Sequence, residues 1–248
     1  MSKAYVSGTQ YPSPSYPHKG LFITFEGIEG SGKTTQCHQL ATTLTALGYS
    51  VLETREPGGT PCAERIRTLL LENTRKNQRQ EMITPECETA LVLAARSQHV
   101  THQILPALSK GMIVLCDRFT DSTLAYQGFG RKLDLEQLRA FNHFVTQGLT
   151  PNLTFLIDLP IAQGLARRAR AKNENRLDRE SQTFHNRVRR GFLKLATQYS
   201  ERMIVVNGQQ SPERIALTID NTITDLVHTK KALKKITQHR RRIASAQA

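Results

Sequence analysis

Residues Gly27-Ile28-Glu29-Gly30-Ser31-Gly32-Lys33-Thr34-Thr35 constrain this chain more than any other stretch. They fit G-x-x-x-x-G-K-[ST], a loop whose backbone N–H groups converge on a phosphate. The apolar run Leu21-Phe22-Ile23-Thr24-Phe25 before it reads as a strand, and Leu40, Leu44 and Leu47 mark an amphipathic helix after it. The glycines permit the tight turn. Lys33 supplies a cation to the β/γ-phosphates, and the Thr34 hydroxyl can ligate Mg²⁺. A helix starting at Lys33 turns its positive end toward the same phosphates. Gly27 through Thr34 therefore read as the nucleotide-binding segment of a P-loop NTPase fold.

The rest of the chain alternates strand and helix. Strands are expected at 21–26, 51–55, 112–117, 153–158 and 203–206. Helices are expected from the phosphate loop to about Leu47 and at 61–72, 85–108, 134–147, 160–172, 181–199 and 212–227, with a polar loop at 73–83. This order predicts an α/β fold with a parallel sheet covered by helices on both faces. Ligands of such folds sit at the carboxyl ends of the strands, where the phosphate loop, Arg55, Asp117 and Asp158 all fall. With 248 residues and no second core in view, residues 20–228 read as one domain. Residues 1–19, repetitive in Pro, Ser and Tyr, read as a flexible N-terminal extension.

Charge narrows the class. The chain carries 34 basic and 21 acidic residues, a net +13. Seven of those charges belong to 229–248, which holds Lys230, Lys231, Lys234, Lys235, Arg240, Arg241 and Arg242 and no acid. That basic tail reads as a solvated extension, with nucleic-acid binding as its other use. The remaining excess suits anionic substrates. Cys37, Cys62, Cys87 and Cys116 are not spaced for zinc or redox work, and a reduced, cytoplasmic protein is expected. No apolar run approaches the roughly 20 residues of a spanning helix, so no membrane partner is expected.

Several residues read as chemistry. Asp117 closes the apolar run 112–117 and sits where a metal-organising carboxylate belongs, and Arg118 beside it can grip a phosphate. Arg55 precedes Pro57-Gly58-Gly59, a turn suited to aiming it at a second phosphate. Arg96 lies on an otherwise apolar helix, where burial calls for an anion, and a ligand is the expected one. The segment 167–179 concentrates arginines and reads as a basic lid, about 167–180, closing over a triphosphate.

Four linked motifs now add a resemblance. Arg55-Glu56-Pro57-Gly58-Gly59-Thr60, Asp117-Arg118-Phe119, Ala125-Tyr126-Gln127-Gly128 with Gly130-Arg131, and Leu177-Asp178-Arg179 lie in the order seen in bacterial thymidylate kinases. About residues 20–220 resemble that family of nucleoside monophosphate kinases. The resemblance implies a five-stranded parallel sheet, a homodimer, and transfer of the ATP γ-phosphoryl to dTMP with Mg²⁺, giving dTDP on the route to dTTP. It implies that Lys33 and Thr34 hold ATP and Mg²⁺, Glu29 the sugar 3′-hydroxyl, and Arg55 and Arg118 the dTMP phosphate. Asp117 would organise the metal shell, and Arg96, Ser122, Thr123, Tyr126 and Gln127 would line the thymidine pocket. Gly30-Ser31 lacks a basic residue, so the lid would supply the catalytic arginine: Arg168 and Arg170 are the leading candidates, beside Arg167 and Arg176. Two positions depart from the family pattern: Val92 replaces an aromatic, and Phe119 replaces the usual Tyr or His. The alternatives are a kinase for another nucleoside monophosphate, or a nucleic-acid-stimulated P-loop ATPase using the tail.

Overall fold

The computed structural model describes residues 19–71, 82–170 and 175–224. Five strands form one parallel sheet in the order β2-β3-β1-β4-β5. They are β1 (Leu21–Glu26), β2 (Val51–Arg55), β3 (Ile113–Asp117), β4 (Leu153–Asp158) and β5 (Met203–Asn207). The helices are α1 (Lys33–Ala46), α2 (Pro61–Leu71), α3 (Pro85–His99), α4 (Leu105–Ser109), α5 (Thr120–Thr123), α6 (Leu135–Thr146), α7 (Ile161–Arg170), α8 (Gln182–Gln198) and α9 (residues 212–224). Each strand and each long helix lies within a few residues of its expected place. No described helix is long and apolar enough to cross a membrane.

The period of two along β1 builds a core on each face of the sheet. Leu21, Ile23 and Phe25 pack with Leu40 and Leu44 of α1 and Ile215, Ile219 and Ile223 of α9. Phe22 points the other way, among Val100, Ile104, Leu108 and Phe119. Beyond it Phe184, Val188, Phe192 and Leu195 of α8 close over Ile28, Leu156 and Tyr126. Both faces of the three central strands, β1, β3 and β4, are buried, which is why they read as nearly unbroken apolar runs.

Register places the chemistry. Phe25 of β1 and Arg55 of β2 both pair with Asp117 of β3, so the carboxyl ends of three adjacent strands lie level. Asp158 pairs with Asn207 at the same edge.

Two segments differ from the expected pattern. The single helix expected over 85–108 is α3, a wider π turn at Val100–Ile104, and α4. Pro106 has no N–H to return to residue 102, and the wider turn precedes it. Between β3 and α6, α5 runs into a second π turn at Leu124–Gly130 where no helix was expected. Tertiary contacts described below hold this glycine-containing stretch. The segments 1–18, most of the polar loop expected at 73–83, 171–174 within the expected lid and the tail at 229–248 fall outside the described residues.

Phe155 is fully buried, its ring 5.6 Å from that of Phe25. Phe155→Ala should lower the unfolding free energy by about 3–5 kcal/mol, measured by urea denaturation, because the sheet on either side cannot collapse into the void.

Candidate active site

One cavity of about 770 Å³ runs along the carboxyl edge of the sheet, lined by the phosphate loop, Arg55, Asp117, Arg118 and residues of α2, α3, α7 and α9. At its floor the loop turns through left-handed glycines, with φ of 70° at Gly30 and 101° at Gly32, the residue that opens α1. A side chain at Gly30 would run into the carbonyl of Gly164 on α7. Lys33 folds back over the loop, its Nζ donating to the Ile28 carbonyl at 2.7 Å. Burial, with Arg118 nearby, pulls the Lys33 ammonium down to about 8, against the opposing pull of Asp117, Glu29 and Glu26. An arriving phosphate would reverse that pull.

Asp117 lies across from the loop. Its Oδ2 accepts from the Thr34 hydroxyl, and its buried Oδ1 has no hydrogen-bond partner. A carboxylate oxygen left over beside a threonine hydroxyl is a donor set of hard oxygens, and it fits Mg²⁺. Among the described residues no group of three His, Cys, Asp or Glu side chains could hold a metal by itself. That agrees with an ion that keeps most of its shell for water and phosphate oxygens.

Arg118 adopts a left-handed backbone, φ 73°, unusual for a residue with a side chain. The turn throws its guanidinium back over the loop. Nη1 donates to the Gly27 carbonyl at 3.0 Å and to Ser122 Oγ at 3.1 Å; Nη2 reaches Glu29 Oε1 at 3.1 Å and the Tyr126 hydroxyl at 3.3 Å. Tyr126 in turn donates to the Glu29 carboxylate at 2.6 Å. Burial opposes an ionised Glu29, but Arg118, Lys33 and the Tyr126 hydroxyl together hold its carboxyl below the usual range.

Glu26 enforces that turn. Its fully buried carboxylate, at the end of β1, accepts from Phe119 N–H at 2.8 Å, Ser122 N–H at 3.2 Å and Ser122 Oγ at 2.6 Å. These bonds fix both the Asp117-Arg118 turn and the first turn of α5. The burial is costly. Desolvation, with Asp121 close by, pushes the Glu26 carboxyl up to about 7, although Arg118 and the hydrogen bonds oppose this.

Arg55 is an exposed cation of the site, 54% accessible, and pairs with Glu64 of α2 at 3.1 Å. One turn on, Arg67 lines the same cavity and donates to the Pro57 carbonyl at 2.8 Å. Arg67 was not singled out in the sequence; the signal was its spacing, three residues after Glu64 on one helical face.

Arg96 is buried, as its helix required, and lines the cavity; the anion that balances it is Glu56, at 2.7 Å from Nε. Nη1 donates to Thr123 Oγ1 and Asn142 Oδ1, and Nη2 to the Phe119 carbonyl. His99 Nδ1 meets the other Glu56 oxygen at 3.0 Å. Ser122 and Thr123 line the cavity, yet their hydroxyls serve Glu26 and Arg118, and Arg96, respectively. They brace the wall more than they face the pocket.

Gln127, Val92, Leu70 and Leu177 also line the cavity. Phe119 points into the core, edge-on to Phe22 with centroids 4.8 Å apart, so its departure from the family pattern changes packing and leaves the pocket alone. Arg168 pairs with Asp178 at 2.9 Å and Arg167 donates to the Gly208 carbonyl. Arg176 reaches the Leu70 carbonyl and Glu88. Of Arg170 only the backbone at the end of α7 is described.

Comparison with known proteins agrees with this geometry. Residues 25–219 match the family described as thymidylate kinase. A thymidylate kinase of Geobacter sulfurreducens is 46% identical over 214 residues, covering 84% of this chain and 98% of that protein. One from Thermomicrobium roseum is 49% identical over 207 residues, 83% of this chain and 95% of the other. The crystal structure of thymidylate kinase from Ehrlichia chaffeensis superposes with a TM-score of 0.66 at 34% identity, covering 82% of this chain and 98% of that one.

Glu26 gives the site a pH signature. With its carboxyl raised in the fold, its contribution to stability is full below about pH 4.5 and is lost as pH rises through about 7. Glu26→Gln, which mimics the protonated acid, should remove this slope, worth up to about 1.4 kcal/mol per pH unit. Urea denaturation of both proteins at pH 4.5, 6 and 7.5 measures it. The chain belongs to the thymidylate kinase family.

Proposed function

We propose that the protein is an ATP-dependent dTMP kinase, moving the γ-phosphoryl of ATP to the 5′-phosphate of dTMP and supplying dTDP for dTTP synthesis. One observation carries this reading. A single cavity is lined by two sets of groups suited to anions, the phosphate loop with Lys33 and the guanidiniums of Arg55, Arg67 and Arg118, together with Asp117. A simple ATPase has no use for the second site.

In this reading the Gly27–Thr34 loop cradles the donor phosphates. Arg55, Arg67 and Arg118 draw the acceptor phosphate into line with them. Glu29, held by Tyr126 and Arg118, accepts from the sugar hydroxyl. Val92, Leu70 and Gln127 bound the base, and the remaining Nη2 hydrogen of Arg96 is available at the same wall. Asp117 and Thr34 would hold Mg²⁺, which when bound neutralises phosphate charge. Lys33 and the arginines do the same from fixed positions, so the protein contributes positioning and charge stabilisation and forms no covalent intermediate. Arg168 and Arg170, on the helix leading into the basic segment, are the proposed lid cations. We include a homodimer, for which α6 offers exposed Phe141 and Phe144, and a cytoplasmic setting that keeps the four cysteines as free thiols.

Lys33→Ala should lower turnover by about a thousandfold, because it removes the cation nearest the transferring group. ADP release measured against dTMP, dUMP, dCMP, dGMP and AMP tests the acceptor. A clear preference for dTMP supports the reading. ADP release that does not depend on any monophosphate overturns it.

A further inference from the structure

Glu88 of α3 is a carboxylate with almost no access to water, and four donors saturate it. Its Oε1 accepts from Gln127 Nε2 at 2.8 Å and Arg131 Nε at 3.2 Å. Its Oε2 accepts from Arg131 Nη2 at 2.9 Å and Arg176 Nη2 at 2.6 Å. Two guanidiniums on one buried carboxyl keep it ionised: burial alone would raise its pKa, but the bonds from Arg131 and Gln127 and the charge of Arg176 bring it below the usual range. The carboxylate can therefore only accept.

That settles which way the Gln127 side-chain amide lies. Its NH₂ must face Glu88, since its carbonyl there would meet a carboxylate oxygen. Among the described residues no donor reaches the carbonyl Oε1, and the residue lines the cavity. The pocket thus presents a fixed acceptor to the base. A thymine or uracil ring offers an N3–H to such a group, whereas cytosine offers a lone pair at N3 and is repelled.

We propose that Glu88 is a specificity-determining positioning residue: by holding the Gln127 amide in one orientation, it makes the acceptor site require an imide N–H. This rests on the reading of the cavity as a pyrimidine monophosphate site. Arg131 and Arg176 act one step further back, by keeping Glu88 charged. An amide freed from Glu88 could present either end to the base, and discrimination would fall without loss of the phosphate grip.

The test is Glu88→Gln, close to isosteric, assayed for kcat and KM with dTMP and dCMP. The expected result is a higher KM for dTMP, a smaller change in kcat, and a rise of at least about tenfold in the dCMP-to-dTMP ratio of kcat/KM. The same substitution in a Gln127→Leu background should leave that ratio unchanged, because no amide remains to be misoriented. A merely structural role for Glu88 would depress both substrates alike and would act equally in both backgrounds; either outcome overturns the assignment. If thermal melting shows that Glu88→Gln is unfolded, the wild-type protein decides: it should bind N3-methyl-dTMP at least about tenfold more weakly than dTMP, and equal binding overturns the proposal. If the wild-type protein turns over no pyrimidine monophosphate, the reading of the cavity fails. If it prefers dTMP and Glu88→Gln keeps that preference, only the role of Glu88 fails.

Discussion

Glu26 accepts three hydrogen bonds from the segment just past β3, and the rest of the site hangs on that clamp. It helps offset the strain of the left-handed turn at Arg118, beside the bond from the Arg118 N–H to the Phe25 carbonyl. From that turn Arg118 lies across the loop to meet Gly27, Glu29 and Tyr126. The cost of burying the clamp is visible in the raised carboxyl of Glu26. The fold tolerates a poorly solvated acid because the acid fixes where the arginine sits.

The same device recurs around the cavity. Glu29 holds Arg118, Glu56 holds Arg96, Glu64 holds Arg55, and Glu88 holds Arg131 and Arg176. Each pairing places a guanidinium before any substrate arrives, and a preset charge needs no reorganisation at the moment of transfer. The pairs differ in exposure. Arg96 and Glu56 are sealed from water, whereas Arg55 and Glu64 are open to it and their pairing is correspondingly weak.

Much of this was legible in the residues. The run Leu21–Phe25 and the glycines after it fixed β1, the loop and α1 within a residue or two, because local pattern and tertiary role agree there. The Asp at the end of 112–117 could be placed because a buried parallel strand ends at the ligand edge. Arg96 marks what such reading leaves out. A buried arginine demands an anion, and the one that meets it inside the fold is a glutamate forty residues earlier, which no local pattern reveals. The α5 and π-turn segment is held by residues remote in sequence: Glu26 fixes the start of α5, and Glu29 and Glu88 take Tyr126 and Gln127 of the π turn. Arg67 and Glu88 escaped notice because one charged residue on an amphipathic helix looks like any other until the opposite wall is known.

The contact between Gly30 and Gly164 has a mechanical side. Neither position has room for a β-carbon, so the phosphate loop and the base of α7 share one surface, backbone on backbone. Arg167 and Arg168 follow about one turn along α7, so these two cations are mounted on a helix that rests directly on the floor of the phosphate site.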